Sequence, residues 1–127
     1  MIYGIGIDVV EPQRIARLAE KYGERFARRV LTPLEWPAYL RTRRPVLFLA
    51  NRFAAKEAFS KAMGTGFRYP VTLQCISVVQ NTVGKPGFAF HPRLDELVKS
   101  RGIVGHHLTI SDEQSVACAC VVLEAAS

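Results

Sequence analysis

The chain has 127 residues, 49% of them hydrophobic, and a formal charge of +6. That length suits a single domain over 1–127, or a subunit that completes its core by association. No apolar run approaches the roughly 20 residues that cross a bilayer. The start, Met1 to Asp8, lacks the basic lead of a signal peptide, and Cys75, Cys118 and Cys120 lack metal-type spacing, so a cytoplasmic, reducing setting without a membrane is expected.

Residues 2–10 alternate, with Ile5, Ile7 and Val9 on one side and Gly4, Gly6 and Asp8 on the other, which predicts a strand. Glu11-Pro12 opens a helix striped by Ile15, Leu18, Ala19 and Tyr22 and ended by Gly23. A helical turn is expected over 25–30. Thr32-Pro-Leu-Glu35 reads as a capping box, predicting a helix from 33 to about 42. Pro45 begins a long helix that Gly64 caps in the left-handed region. Strands at 75–80 and 87–90 flank the turn Asn81–Pro86, and 92–101 forms a helix with Leu94, Leu97 and Val98 inside. A final hairpin pairs 107–111 with the apolar 115–123 through a turn at 112–114, and Cys118 and Cys120 share one face as small buried side chains. Helices early and antiparallel strands late, with the first strand joining the last two, make the fold α+β.

Charge is unevenly spread. Residues 13–45 hold nine basic and three acidic side chains and so carry the whole excess, which implies a polyanionic partner. In the long helix, Glu57 and Lys61 stand one turn apart on one face, at the edge of an apolar surface. A carboxylate and an ammonium so placed suit a site where a cation meets phosphate. Asp8, at the end of the first strand, would supply a second carboxylate if the fold joined them; otherwise it caps the helix that follows. Arg52 and Lys56 form another stripe on the same helix, either a phosphate contact or a solvated basic face.

The segments Tyr3-Gly-Ile-Gly-Ile-Asp-Val-Val10, Arg52-Phe-Ala-Ala-Lys-Glu-Ala-Phe-Ser-Lys61 with Gly64-Thr-Gly66, Asn81-Thr-Val-Gly-Lys-Pro86 and His107-Leu-Thr-Ile-Ser111 occur in order over nearly the full chain. Together they resemble the holo-acyl-carrier-protein synthases, small bacterial 4′-phosphopantetheinyl transferases. The resemblance implies that family's antiparallel sheet packed with one long and several short helices, in a homotrimer whose coenzyme sites lie between subunits. It implies transfer of 4′-phosphopantetheine from coenzyme A to a serine of an acidic acyl carrier protein, for fatty acid biosynthesis, with Mg²⁺. By position, Asp8 and Glu57 match the metal ligands, and with Lys61, which contacts the coenzyme phosphates, they form the catalytic set. Gly64, Gly66, Lys85 and Pro86 match segments lining the coenzyme pocket. His107, Thr109 and Ser111 match the strand bordering the nucleotide, and Arg14 and Arg25 match the carrier-binding face. Many members carry His where this chain has Asp112. The serine proton has two candidate acceptors, Glu57 and a water on the metal; the water is favoured, because a ligating carboxylate is a poorer base. Two other readings are a basic nucleic-acid-binding module and an inactive assembly subunit of this fold. The first would want aromatics interleaved with the arginines for stacking. Tyr22, Phe26, Trp36 and Tyr39 are equally explained by core packing.

Overall fold

A computed structural model describes residues 1–127. The order is β1 (Ile2–Val10), α1 (Pro12–Tyr22), α2 (Glu24–Val30), α3 (Trp36–Arg41), α4 (Pro45–Met63), a 3-10 turn (Leu73–Cys75), β2 (Ile76–Gln80), β3 (Pro86–Phe90), α5 (Pro92–Ser100), β4 (Ile103–Glu113) and β5 (Val116–Ala125). One antiparallel sheet runs β1-β5-β4 and a smaller one pairs β2 with β3. β1 thus joins the C-terminal hairpin, as its alternation predicts, with the apolar β5 in the centre.

Helix α4 lies across the three-stranded sheet. It is apolar around most of its circumference, with Leu49, Ala50, Ala54, Ala55, Ala58, Phe59, Ala62 and Met63 all buried. β1 meets it backbone to backbone. A Cβ on Gly4 would overlap the carbonyl of Ala62, and one on Gly6 the carbonyl of Ala58. Two strand residues advance about 6.8 Å and four helix residues about 6.0 Å, so the two backbones keep step. The next inward position on β1 is Asp8, one helical turn further back along α4. The glycines therefore set the depth and register at which Asp8 reaches the helix.

The opposite sheet face is bare. Rows run Ile5–Val122–His107, Ile7–Cys120–Thr109 and Val9–Cys118–Ser111 across the three strands. Ile5, Ile7 and Val9 are 59%, 57% and 60% exposed. Cys118 and Cys120 sit half-buried on this face rather than sealed in the core; only Cys75 is buried. They face outward because their neighbours Ala117, Ala119 and Val121 take the inward positions against α4.

Other boundaries depart from expectation. The strand expected at 107–111 is β4, Ile103–Glu113, and the turn is Gln114-Ser115 rather than 112–114. Asp112 and Glu113 pair with Ala117 and Val116, so their polarity marks an exposed strand end. α3 begins at Trp36, not residue 33, because the capping box is only half made. Glu35 accepts from the Thr32 N–H at 2.8 Å, but the Thr32 hydroxyl bonds Ser77 Oγ at 2.6 Å instead of capping.

Candidate active site

The structure joins Asp8, Glu57 and Lys61. The Lys61 ammonium donates to Asp8 Oδ1 at 3.1 Å and to the Ile7 carbonyl at 3.0 Å. Its side chain is half exposed, whereas that of Asp8 is mostly covered. Glu57 is partly buried one turn earlier on α4. Burial first, and then the Asp8 carboxylate beside it, push the Glu57 carboxyl above its ordinary range; Lys61 and Arg14 pull the other way. Two carboxylates near enough for Asp8 to raise the Glu57 carboxyl, with one half-exposed ammonium bound to Asp8, suit a hard divalent cation. No cluster of three or more His, Cys, Asp or Glu is present. A cation here would take two protein oxygens and draw the rest of its shell from water and phosphate, as Mg²⁺ commonly does. Asp8 is not a helix cap: the N-cap of α1 is Glu11, and its side chain makes no capping bond.

Just past Lys61, α4 stops in a turn that only glycine enters without strain. Gly64 (φ 78°) and Gly66 (φ 61°) are left-handed, and their amides close on the carbonyls of Lys61 and Ser60 at 3.0 and 3.2 Å. The chain therefore turns away and leaves the approach to Lys61 open.

Phe53, Glu57 and Lys61 follow one another at four-residue spacing, so they form one stripe of α4. Phe53 also lines an open groove of about 990 Å³, with Leu18, Tyr22, Phe26 and Phe67 as apolar walls and Arg25, Arg28 and Arg29 at its rim. Phe53 lies one turn before Glu57 on α4, but Asp8, Glu57 and Lys61 do not line the groove. Arg14 and Arg25 are exposed on α1 and α2, and Arg14 lies near enough to Glu57 to act on its carboxyl.

Other candidates lie elsewhere in this chain. His107, Thr109 and Ser111 project from the bare sheet face, opposite the face that carries Asp8, and His107 pairs with Glu124. Lys85 and Pro86 belong to the β2–β3 hairpin, where Asn81 Oδ1 accepts the amides of Val83 and Lys85 at 3.0 and 2.9 Å. No hydrogen bond or ion pair joins them to the acid pair. Asp112 accepts from Asn51 Nδ2 at 3.0 Å. His106 points inward against Phe88 and Phe90, where burial lowers its pKa, and packs there as a core group.

Lys56 overturns its expected place as a phosphate contact or solvated base. It is fully buried, donating to Glu35 Oε1 at 2.7 Å, Val30 O at 2.5 Å and Leu73 O at 3.0 Å. Burial pushes its ammonium down and Glu35 opposes that shift. Glu35 also accepts the Val78 amide at 3.0 Å. The pair is a joint between α4, α2, α3 and β2. Arg52 behaves differently: its guanidinium stacks 3.9 Å from the Phe48 ring, and its buried Nε has no partner.

The groove and the buried pair escape a reading of the sequence alone. The capping motif singles out Glu35, and its position before a Trp-Pro pair is the one local hint that the acid turns inward. The groove draws residues from three separate stretches and leaves no local pattern.

Residues 4–121 match the model of the 4′-phosphopantetheinyl transferase superfamily. The chain is 62% identical to the holo-[acyl-carrier-protein] synthase of Nitrosospira multiformis, covering 98% of this chain and 99% of that protein. The crystal structure of the synthase from Neisseria meningitidis superposes with a TM-score of 0.95 at 46% identity, covering 98% of this chain and 99% of that one. The synthase from Bacillus anthracis, solved in complex with CoA (3′,5′-ADP), gives 0.82 at 38% identity over 99% of both chains.

Proposed function

This chain belongs to the 4′-phosphopantetheinyl transferase superfamily, and we infer that it carries out the holo-[acyl-carrier-protein] synthase reaction. In that reaction 4′-phosphopantetheine passes from coenzyme A to a serine of apo acyl carrier protein, serving fatty acid biosynthesis. The observation that carries the reading is the junction of Asp8, Glu57 and Lys61 where β1 meets α4. We treat residues 1–127 as one such domain, working in the cytoplasm.

The serine oxygen bonds to the phosphorus that bears pantetheine, and the bond from that phosphorus to the bridging oxygen breaks. Adenosine 3′,5′-bisphosphate leaves. Asp8 and Glu57 would hold Mg²⁺, which when bound would supply Lewis-acid and templating chemistry at the diphosphate. Lys61 neutralises charge on the phosphate oxygens as the leaving bond opens. Asp8 and the Ile7 carbonyl already hold this ammonium, so it is aimed before the coenzyme arrives. Water at the mouth of the site takes the serine proton, because a carboxylate already bound to a cation is a poor base.

Arg14 and Arg25 meet the acidic carrier, steering it electrostatically and fixing its orientation over the groove. The bare sheet face is the seat of further copies. Fully burying each exposed Ile or Val there would contribute about 1.5–3 kcal/mol. A homotrimer closed through this face would carry His107, Thr109 and Ser111, with Gly64, Gly66, Lys85 and Pro86, to coenzyme sites shared between neighbouring copies. Such an assembly would account for the strand of 107–111 and the acid pair lying on opposite faces of one chain.

The test is incubation with coenzyme A, Mg²⁺ and an apo carrier protein, followed by intact mass. The carrier should gain one phosphopantetheine. An unchanged carrier mass, with folded protein and both co-substrates present, would overturn the reading.

A further inference from the structure

Helix α2 has seven residues, too few to hold a helix alone, and the last four carbonyls of a helix have no partner within it. Here side chains from elsewhere take them. The Gln74 Nε2 amide lies 2.8 Å from Arg28 O, 3.0 Å from Arg29 O and 3.0 Å from Leu31 O. Lys56 takes the carbonyl between, Val30 O. Four consecutive carbonyls are thus served by one ammonium and by the two N–H donors of one amide, shared among three of them. Lys56 directly precedes Glu57, so the end of α2 is pinned to the helix that carries the catalytic carboxylate. Its clamp is wholly buried; the Gln74 clamp is exposed at the edge of the groove.

The same short helix presents Arg25, Arg28 and Arg29. Arg28 is further spread over the Trp36 ring at 4.2 Å and paired with Glu24. An arginine face that must deliver a serine to within bonding distance of a phosphorus needs a fixed angle to Glu57, and α2 has no length of its own to supply one.

We propose that Gln74 is a positioning residue for carrier recognition: its amide caps α2 from outside and sets the pose in which Arg25 and its neighbours receive the carrier. This rests on the reading of the α1–α2 arginines as the carrier's landing face. Removing the amide frees the Arg28 and Arg29 carbonyls to water and leaves the partly buried Leu31 carbonyl without its donor, so the fold survives while α2 loses its fixed pose. Coenzyme binding and the chemical step are left alone.

The experiment measures Gln74→Leu, Arg25→Glu and the double variant in the assembled enzyme, varying apo carrier and coenzyme A separately. Gln74→Leu should raise KM for the carrier about tenfold, the worth of roughly one net hydrogen bond. Its kcat and its KM for coenzyme A should stay within about twofold of the parent, the resolution of such a comparison. Amide exchange over 24–31 should quicken. In the Arg25→Glu background the Gln74 change should add little, because both act through one helix. Full additivity would mean that Gln74 touches the carrier itself, and would overturn the proposal. So would an unchanged carrier KM, or a Gln74→Leu chain that no longer assembles. If Arg25→Glu leaves the carrier KM untouched, the landing-face reading falls and takes this one with it. If Arg25→Glu raises that KM and Gln74→Leu does not, only the clamp is lost.

Discussion

The two faces of the three-stranded sheet are built from the same strands and end in opposite conditions. On one, Gly4 and Gly6 let α4 settle backbone to backbone onto β1, and the junction puts Asp8 beside Glu57 and Lys61. On the other, Ile5, Ile7 and Val9 stay more than half exposed beside Cys118, Cys120 and Val122. A chain of this size buries one good core and lacks the length to cover a second. The charges proposed for catalysis belong to the covered face, where neighbours fix them. The strand expected to border the nucleotide belongs to the uncovered one, and under the proposed assembly a neighbouring copy brings it into use.

The largest effect should come from breaking the covered face at its charge. Glu57→Ala should lower kcat/KM by roughly 10³-fold or more, the upper range for losing one transition-state stabilising group. Sedimentation and circular dichroism should be unchanged, since the partly buried Glu57 side chain makes no hydrogen bond or ion pair that holds the fold together. Near-parent turnover with Mg²⁺ would remove Glu57 as a ligand.

The two lysines of α4 sharpen the contrast between buried and open charge. Lys56→Met leaves the Glu35 carboxylate and two carbonyls unpaired in the interior, and should cost about 3–5 kcal/mol in urea unfolding. Lys61→Met breaks a half-exposed pair worth about 0–1 kcal/mol, so it should unfold like the parent while losing transfer. Equal stability losses would contradict the separation.

Ile7→Glu tests the bare face. A carboxylate buried there unpaired costs several kcal/mol, so association should weaken roughly 100-fold or more, read by analytical ultracentrifugation. The helical signal should persist, because that face contributes little to the chain's own core. An assembly of parent stability would show that copies meet elsewhere.

The smallest effect is a titration. Burial and Asp8 raise the Glu57 carboxyl, so as pH falls it takes a proton before an exposed glutamate does. A raised carboxyl favours the protonated folded form. Its contribution to stability is greatest below the unfolded pKa and is lost as pH rises through the folded value. Carboxyl NMR without divalent cation should place its midpoint above the ordinary glutamate range, and Asp8→Asn should bring it down. A midpoint in the ordinary range, unmoved by Asp8→Asn, would mean that the two acids are apart.

Much of this was legible in the residues. The alternation of 2–10 and the Gly64 stop place β1 and α4, and helical spacing puts Glu57 with Lys61. What local pattern cannot carry is a partner remote in sequence. Lys56 reads as a solvated base because its acceptors come from Val30, Glu35 and Leu73. Gln74 has no periodic role at all, and its partners lie more than 40 positions away. Asp112 and Glu113 read as a turn because polar residues mark both turns and strand ends that outrun the core.

The claim underneath is that a working site takes its cation and phosphate ligands from one chain and its nucleotide border from the next. A crystal structure with coenzyme A and Mg²⁺ tests it most directly. The account predicts a cation between Asp8 and Glu57, with the diphosphate against Lys61, and the nucleotide lying along the 107–111 strand of a neighbouring copy. A coenzyme bound wholly within one chain, or acids that share no cation, would contradict it.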